Sequence, residues 1–205
     1  MANTFQRDRR LFHPETGGHP GEAAGRIAAA ARAAGGRGLP PVEKWDPPFC
    51  GDLDMRIARD GTWFYLGTPI GRPELVRLFS TILKREGEDY FLVTPVEKVR
   101  IQVEDAPFMA VDFERGEGGL TFLTNLGDRA TAGEDHPIRV ERDAETGEPA
   151  PYVLIRGGLW ALIDRKSFYR LAEIGERREV DGVLRFGLAS GGAFFPLIDA
   201  AELET

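Results

Sequence analysis

Trp63-Phe64-Tyr65-Leu66, then Arg72, then the apolar steps Leu75, Val76, Leu78, Phe79 and Ile82, is the stretch whose reading decides the fold. A shortened copy opens at Trp160: Trp160-Ala161-Leu162-Ile163, then Arg165, then Phe168, Tyr169, Leu171 and Ile174. Each passes through a charged turn into strand-like sequence, Tyr90 to Val93 in the first and Val183 to Leu188 in the second. Two such strand–helix–strand patterns, on the order of a hundred residues apart, mean a duplicated domain and not a solenoid, whose periods are about 20–50 residues. A duplication leaves a seam between its copies, and ligand sites tend to sit at seams.

Working outward, Met55 and Ile57 alternate with Asp54 and Arg56, which predicts a half-buried strand paired with Trp63–Leu66 across Arg59-Asp60-Gly61. Pro73 to Glu86 reads as one helix, with Pro in its first turn, Leu75, Leu78, Phe79 and Ile82 on one face, and Gly87 as its stop. Strands are predicted at Tyr90–Val93, Val99–Val103, Met109–Phe113, Leu120–Thr124 and Ile138–Glu141, with a loop over 127–135. Further on come strands Tyr152–Ile155 and Leu159–Ile163, a helix Arg165–Gly175, and strands Val183–Leu188 and Ala193–Ile198 joined at Gly191-Gly192. Many antiparallel strands with one helix per half define an α+β fold. The domain division expected is a disordered tail over 1–21, a helix and proline-rich arm over 22–50, a first α+β domain over 51–145 and a second domain over 146–205. The Gly-, Glu- and Pro-rich stretch Asp143–Pro151 marks the expected boundary. Within the arm, Trp45 and Phe49 call for burial against the core.

Composition narrows the function classes. Residues 1–38 hold six arginines against Asp8, Glu15 and Glu22, so they carry +3 of a total of −7 and the body carries −10. Extended contact with a nucleic-acid backbone needs clustered Lys and Arg, which an acidic body lacks. A small anionic ligand held by one or two local arginines remains compatible with it. No apolar run reaches the ~20 residues that span a bilayer, and no apolar segment follows Arg7, Arg9 and Arg10 to make a signal peptide. Cys50 is the one cysteine, so no intrachain disulfide is expected and a cytoplasmic location is.

Catalytic patterns are thin. Three histidines and one cysteine do not make up a zinc ligand set, and His13 and His19 lie in the tail. A carboxylate set for a hard cation would have to come from Asp52, Asp54, Glu134 and Asp135. Cys50 with His136, oriented by Asp135, is the one nucleophilic pairing on offer, and a small buried thiol is the plainer reading of Cys50. Gly187–Gly192 lacks the Lys-Ser/Thr step of a phosphate loop and reads as a hairpin turn. Ligand-reading chemistry is better represented. Thr124-Asn125 closes a strand, Arg156 ends one just before Gly157-Gly158, and Arg72 and Arg165 head the two helices.

Several stretches together carry a resemblance. Pro40-Pro41-Val42-Glu43-Lys44-Trp45, Phe49-Cys50-Gly51, Gly61-x-Trp63, Leu78-Phe79, Leu92-Val93-Thr94-Pro95-Val96-Glu97-Lys98, Thr124-Asn125, His136-Pro137 and Pro151-Tyr152 follow in order along the chain. This pattern resembles the bacterial domain-of-unknown-function family 1285 over about residues 38–175. The resemblance implies a duplicated small α+β fold whose second half is similar to a partly open pleckstrin-homology-like barrel. It also implies a nucleotide-like ligand at the domain interface and a role in signalling, with no catalytic residue defined.

The expectation is therefore a non-enzymatic signalling protein that binds a small nucleotide-like or phosphorylated ligand in the seam, with no cofactor and no metal. Trp63, Tyr65, Thr124, Asn125, His136 and Arg156 would wall the site: aromatics to stack a base, Thr and Asn to read its edge, Arg156 to meet a phosphate. The alternatives are a hydrolase or phosphate-handling enzyme using Asp52, Asp135 and His136, and a protein-interaction module using the arm or the basic tail.

Overall fold

The computed structural model describes residues 20–35, 38–142 and 147–201, so the expected disorder of the tail lies outside the described residues apart from its last two. Helix α1 (Pro20–Ala34) begins ahead of the expected Glu22. An alanine-rich helix of this length is marginal alone, and docking is what supports it. Ile27, Ala28 and Ala31 are buried on one face, and the Arg26 guanidinium donates to the buried Glu97 carboxylate at 2.9 Å.

The arm contributes a single 3₁₀ turn at Val42–Lys44. Trp45 is half-buried and packs on the core. Phe49 departs from expectation. It is 54% exposed and opens strand β1 (Phe49–Ile57), where its ring meets Phe91 edge-on at 6.1 Å. The strand absorbs what the prolines before it could not.

β1 turns back through residues 58–62 into β2 (Trp63–Tyr65), with Ile57 opposite Trp63 and Met55 opposite Tyr65, as the alternation predicts. β3 (Thr68–Pro69) completes the meander. Helix α2 (Pro73–Thr81) starts at the expected proline but stops five residues early. Leu83–Glu86 forms β4, paired with β5 (Asp89–Val93), and Gly87, at φ 63°, sits in the hairpin between them instead of capping a helix. β6 (Lys98–Val103) follows, and it lies parallel to β1. The first sheet is thus ordered β3-β2-β1-β6-β5-β4.

The second sheet repeats this plan. β7 (Phe108–Gly116), β8 (Gly119–Thr124) and β9 (Arg129–Thr131) make one antiparallel meander. β10 (Ile138–Arg142), β11 (Pro149–Arg156) and β12 (Leu159–Ile163) make the other, and β12 lies parallel to β7. The order is β10-β11-β12-β7-β8-β9. In each sheet the first and sixth strands are the inner, parallel pair. The chain is α+β and built of two like units, as expected, and one of the two sheets curls into a half-barrel. The register of the copies is different from the one read from the tryptophans. Trp63 opens the second strand of its unit, whereas Trp160 lies in the sixth strand of its own. The tryptophan match is a local likeness of strand followed by helix, and strand pairing decides the true register. The expected boundary falls within one sheet, since Pro149–Pro151 already belong to β11 and pair with β10, so the change of unit falls at 104–107 instead.

Helix α3 (Arg165–Glu173) is capped by Asp164, whose carboxylate accepts from Ser167 N at 2.7 Å. Beyond it β13 (Glu176–Val180), β14 (Val183–Ser190) and β15 (Ala193–Asp199) form a three-stranded sheet, with the expected turn at Gly191-Gly192. Ser190 Oγ anchors this sheet to the second unit, accepting from Leu120 N at 2.7 Å and donating to Ala132 O at 2.8 Å. Contact is so close that a Cβ at Gly191 (φ 56°) would sit 2.4 Å from Ala132 O. One hydrophobic core runs through all three parts, from Ile27, Met55 and Phe79 through Phe108, Phe122 and Val153 to Leu188 and Phe195.

Candidate functional site

At the seam between the units Arg156 is already engaged. Arg156 Nε donates to Asp128 Oδ1 at 3.0 Å and Nη2 donates to Ser80 O, at the end of α2, at 2.8 Å. Its guanidinium also lies over the Phe108 ring, 5.2 Å from the centroid. The arginine expected to meet a phosphate is a strut between the first unit's helix and the second unit's sheet. Thr124 and Asn125 gather at the same junction in structural roles. Thr124 Oγ1 accepts from Asp128 N at 3.0 Å, forming a side-chain-closed turn. Asn125 Oδ1 accepts from Met109 N at 3.1 Å. His136 is fixed on the far side of β11, its Nδ1 3.1 Å from Leu154 O.

The enzyme constellations are not assembled. Asp52 is bonded to Arg100 across the first sheet at 2.8 Å, remote in topology from His136. Cys50 is exposed, contrary to the buried thiol expected, and its Sγ donates to Pro48 O at 3.4 Å. It therefore sits on β1 while His136 sits beside β11. Among the described residues no three His, Cys, Asp or Glu side chains group as a metal site.

Trp63 and Tyr65 project from the same face of β2, two residues apart; Tyr65 lines a cavity, and Trp63 lies behind it in the core. Trp63 is 2% exposed and stacks on Phe79 of α2, 6.4 Å between centroids and 16° between planes. Its indole N–H has no hydrogen-bond partner among the described residues. Beside this pair, α1, the β2–β3 hairpin and α2 enclose a groove of about 580 Å³, within the range of small-molecule sites. Tyr65 and Ile70 line the hairpin side, Leu75 and Phe79 the α2 side, Ala24 and Ala28 the α1 side. α1 spacing puts Ala24, Ala28 and Arg32 on one stripe, and Arg32 with Arg72 supplies the groove's charge. Arg72 is the residue before the first turn of α2, so the positive end of that helix adds to its field. Arg32 escapes a reading from sequence because its helix looks uniformly alanine. The only signal is its i+8 relation to Ala24.

Among the described residues many arginines are tied to acids, whereas Arg32 and Arg72, like Arg77, Arg85 and Arg115, stand outside those ion pairs. Arg26, Arg56, Arg100, Arg129, Arg139, Arg156, Arg170 and Arg185 all reach carboxylates. Neither Arg32 nor Arg72 has a carboxylate partner among the described residues, and no carboxylate lines their groove.

A second polar junction ties the units where the chain crosses between them. Tyr152 OH donates to Asp105 Oδ1 at 2.7 Å, and Arg59 Nε lies 3.2 Å from Asp105 Oδ2. Burial first, then the bond to the carboxylate, pushes the Tyr152 phenol well above its ordinary range. A folded value above the unfolded ~10 means the contribution is whole below about pH 10 and is lost as pH rises toward the folded value. Tyr152→Phe should lower stability at neutral pH by about 1.5–3 kcal/mol, since the lost bond is to a charged group. Its stability should then fall less steeply than the parent's above about pH 10. Urea midpoints measured from neutral to alkaline pH check this, and parallel pH slopes would refute it.

The architecture and groove define a class: a two-unit α+β protein with a groove between α1 and α2 edged by two arginines that have no carboxylate partner among the described residues. The family comparison agrees with the division by sheets. The N-terminal domain of DUF1285, a domain of unknown function, matches residues 40–106, and the C-terminal domain of DUF1285 matches residues 107–197. The chain belongs to this family. A DUF1285 family protein from Silicibacter pomeroyi DSS-3, known from its crystal structure, is 61% identical and aligns over 87% of this chain and 98% of its own, with a TM-score of 0.79. Another from Shewanella baltica OS155 is 33% identical over 59% of this chain and 91% of its own, with a TM-score of 0.49. No curated protein matches the chain. No helix among the described residues is long and apolar enough to cross a membrane.

Proposed function

We propose that the protein is a non-enzymatic binder of a small anionic ligand, and that its site is the groove between α1 and α2, not the seam. One observation carries this: Arg32 and Arg72 line an otherwise uncharged cavity with no carboxylate partner among the described residues. Guanidinium groups bind carboxylates and phosphates in bidentate fashion, and in a chain of net charge −7 a specific cationic pair is what an anion requires. Asp52, bonded to Arg100 in the first sheet, lies apart from the adjacent Asp135 and His136, which speaks for binding over hydrolysis. Occupancy of such a groove reports a concentration, which is a signalling task, and one free cysteine suits the reducing cytoplasm as its place. The interaction-module alternative rests on exposed side chains such as Phe49 and Val96, neither of which lines the groove.

A thermal-shift screen against phosphorylated, nucleotide and carboxylate metabolites tests the proposal. A ligand at ~100 times its dissociation constant adds about 2.7 kcal/mol of stability. Arg72→Gln should weaken binding about tenfold or more, as loss of a charge-assisted contact predicts. Arg77→Gln, on α2 but off the groove, should leave it unchanged. A hit that responds equally to both variants, or no hit at all, would defeat the proposal.

A further inference from the structure

The wall chemistry of the groove also bears on what kind of molecule fits, given that the groove is the binding site. Ala24, Ala28, Ile70, Leu75 and Phe79 present hydrocarbon with no side-chain hydrogen-bonding group. Among the described residues Tyr65 and Thr68 supply the only side-chain hydroxyls, and no side-chain amide or carboxylate lines the cavity. A nucleotide base is recognised by donors and acceptors set against its edge, and a buried base edge without them loses its bonds to water. A hydrocarbon chain asks for none of these and gains affinity with each buried CH2. At the charged end, two cations in one cavity match one oxyanion better than a neutral polar group.

We infer that the ligand is an amphiphile, a single medium-length hydrocarbon chain ending in a carboxylate or phosphate. Its chain lies between α1 and α2, and its head lies on Arg32 and Arg72. From Ala24 to Arg32 the α1 wall runs about 12 Å at 1.5 Å per residue, so the chain has a helix-length track to follow. The free monomer is the form bound. A chain of net charge −7, with −10 on its body, is repelled by an anionic membrane surface, while a single monomer brings one headgroup to two arginines.

Isothermal titration of the full chain with decanoate and decyl phosphate, below their micelle concentrations, tests this. The other arms are octyl glucoside, inorganic phosphate, adenosine monophosphate, and vesicles of phosphatidylcholine with phosphatidylglycerol. Saturable binding of decanoate or decyl phosphate at one per chain is expected, with octyl glucoside and inorganic phosphate each at least about tenfold weaker. Arg32→Gln and Arg72→Gln should each weaken it about tenfold, and Ala24→Leu, at a half-buried groove position, should block the chain. Melting temperatures of the three variants confirm folding, and the two exposed arginine positions keep the test open if Ala24→Leu does not fold. Tightest binding by adenosine monophosphate, with the same arginine dependence, overturns the amphiphile and leaves the groove proposal standing. Amphiphile binding that ignores both arginines, or no binding by any probe, overturns both. Binding to vesicles without binding to monomers overturns the free-monomer form.

Discussion

Phe79→Ala should lower the stability of the protein by about 3–5 kcal/mol, the range for truncating a fully buried phenylalanine. Phe79 is 0% exposed, stacks on Trp63, and stands in the last full turn of α2 where the core meets the groove. Truncation removes the ring's contacts and leaves a void that Trp63, held by its strand, cannot collapse into. At about 2–4 °C per kcal/mol for a chain of this size, the melting temperature should fall by at least about 6 °C. Phe79→Leu keeps most of the volume and should lose less than about 1.5 kcal/mol. Urea unfolding of the three proteins decides it. An alanine variant as stable as the leucine variant would mean the ring is not part of the core.

Arg156→Ala should cost about 2–4 kcal/mol. Deleting one member of a buried ion pair costs about 3–5 kcal/mol, and the figure is reduced here because the side chains of Arg156 and Asp128 keep 19% and 15% exposure. The loss has three parts. Asp128 loses its cationic partner, Ser80 O at the end of α2 loses the guanidinium donor, and the face of Phe108 loses its cation. Asp128→Asn should cost less, and the double variant should fall well short of the sum, since contacting residues couple. Ligand affinity in the groove should not change. Additive losses would show that Arg156 and Asp128 act separately. Loss of ligand affinity in Arg156→Ala would return the site to the seam.

What was legible in the sequence follows from how local each signal is. In β6, Val99 and Ile101 are buried and Arg100 and Gln102 exposed, an alternation any six-residue window displays. The helix of α3 could likewise be read from its apolar stepping after Arg165. β4 was hidden, because Leu83-Lys84-Arg85-Glu86 are all good helix formers. Its strand state is imposed by pairing Leu83 with Leu92 across the Gly87 hairpin, a contact that no helical-periodicity window weighs. β13 was hidden for the opposite reason. Glu176–Val180 is charged and mostly exposed, without an apolar face to give a period.

By itself, the sequence determined the α+β class, the presence of a duplication and the family, because residue types, local periodicity and ordered motifs are written along the chain. Only the tertiary structure decided the register of the duplication, since pairing β1 with β6 and β7 with β12 joins strands far apart in sequence. It alone decided which arginines are paired. Arg156 finds Asp128 at a separation of 28 residues and Ser80 at 76, while Arg32 and Arg72 come to one groove with no carboxylate from the described residues. A charge is satisfied by whatever lies within a few ångströms in space, and that neighbourhood exists only once the chain has folded.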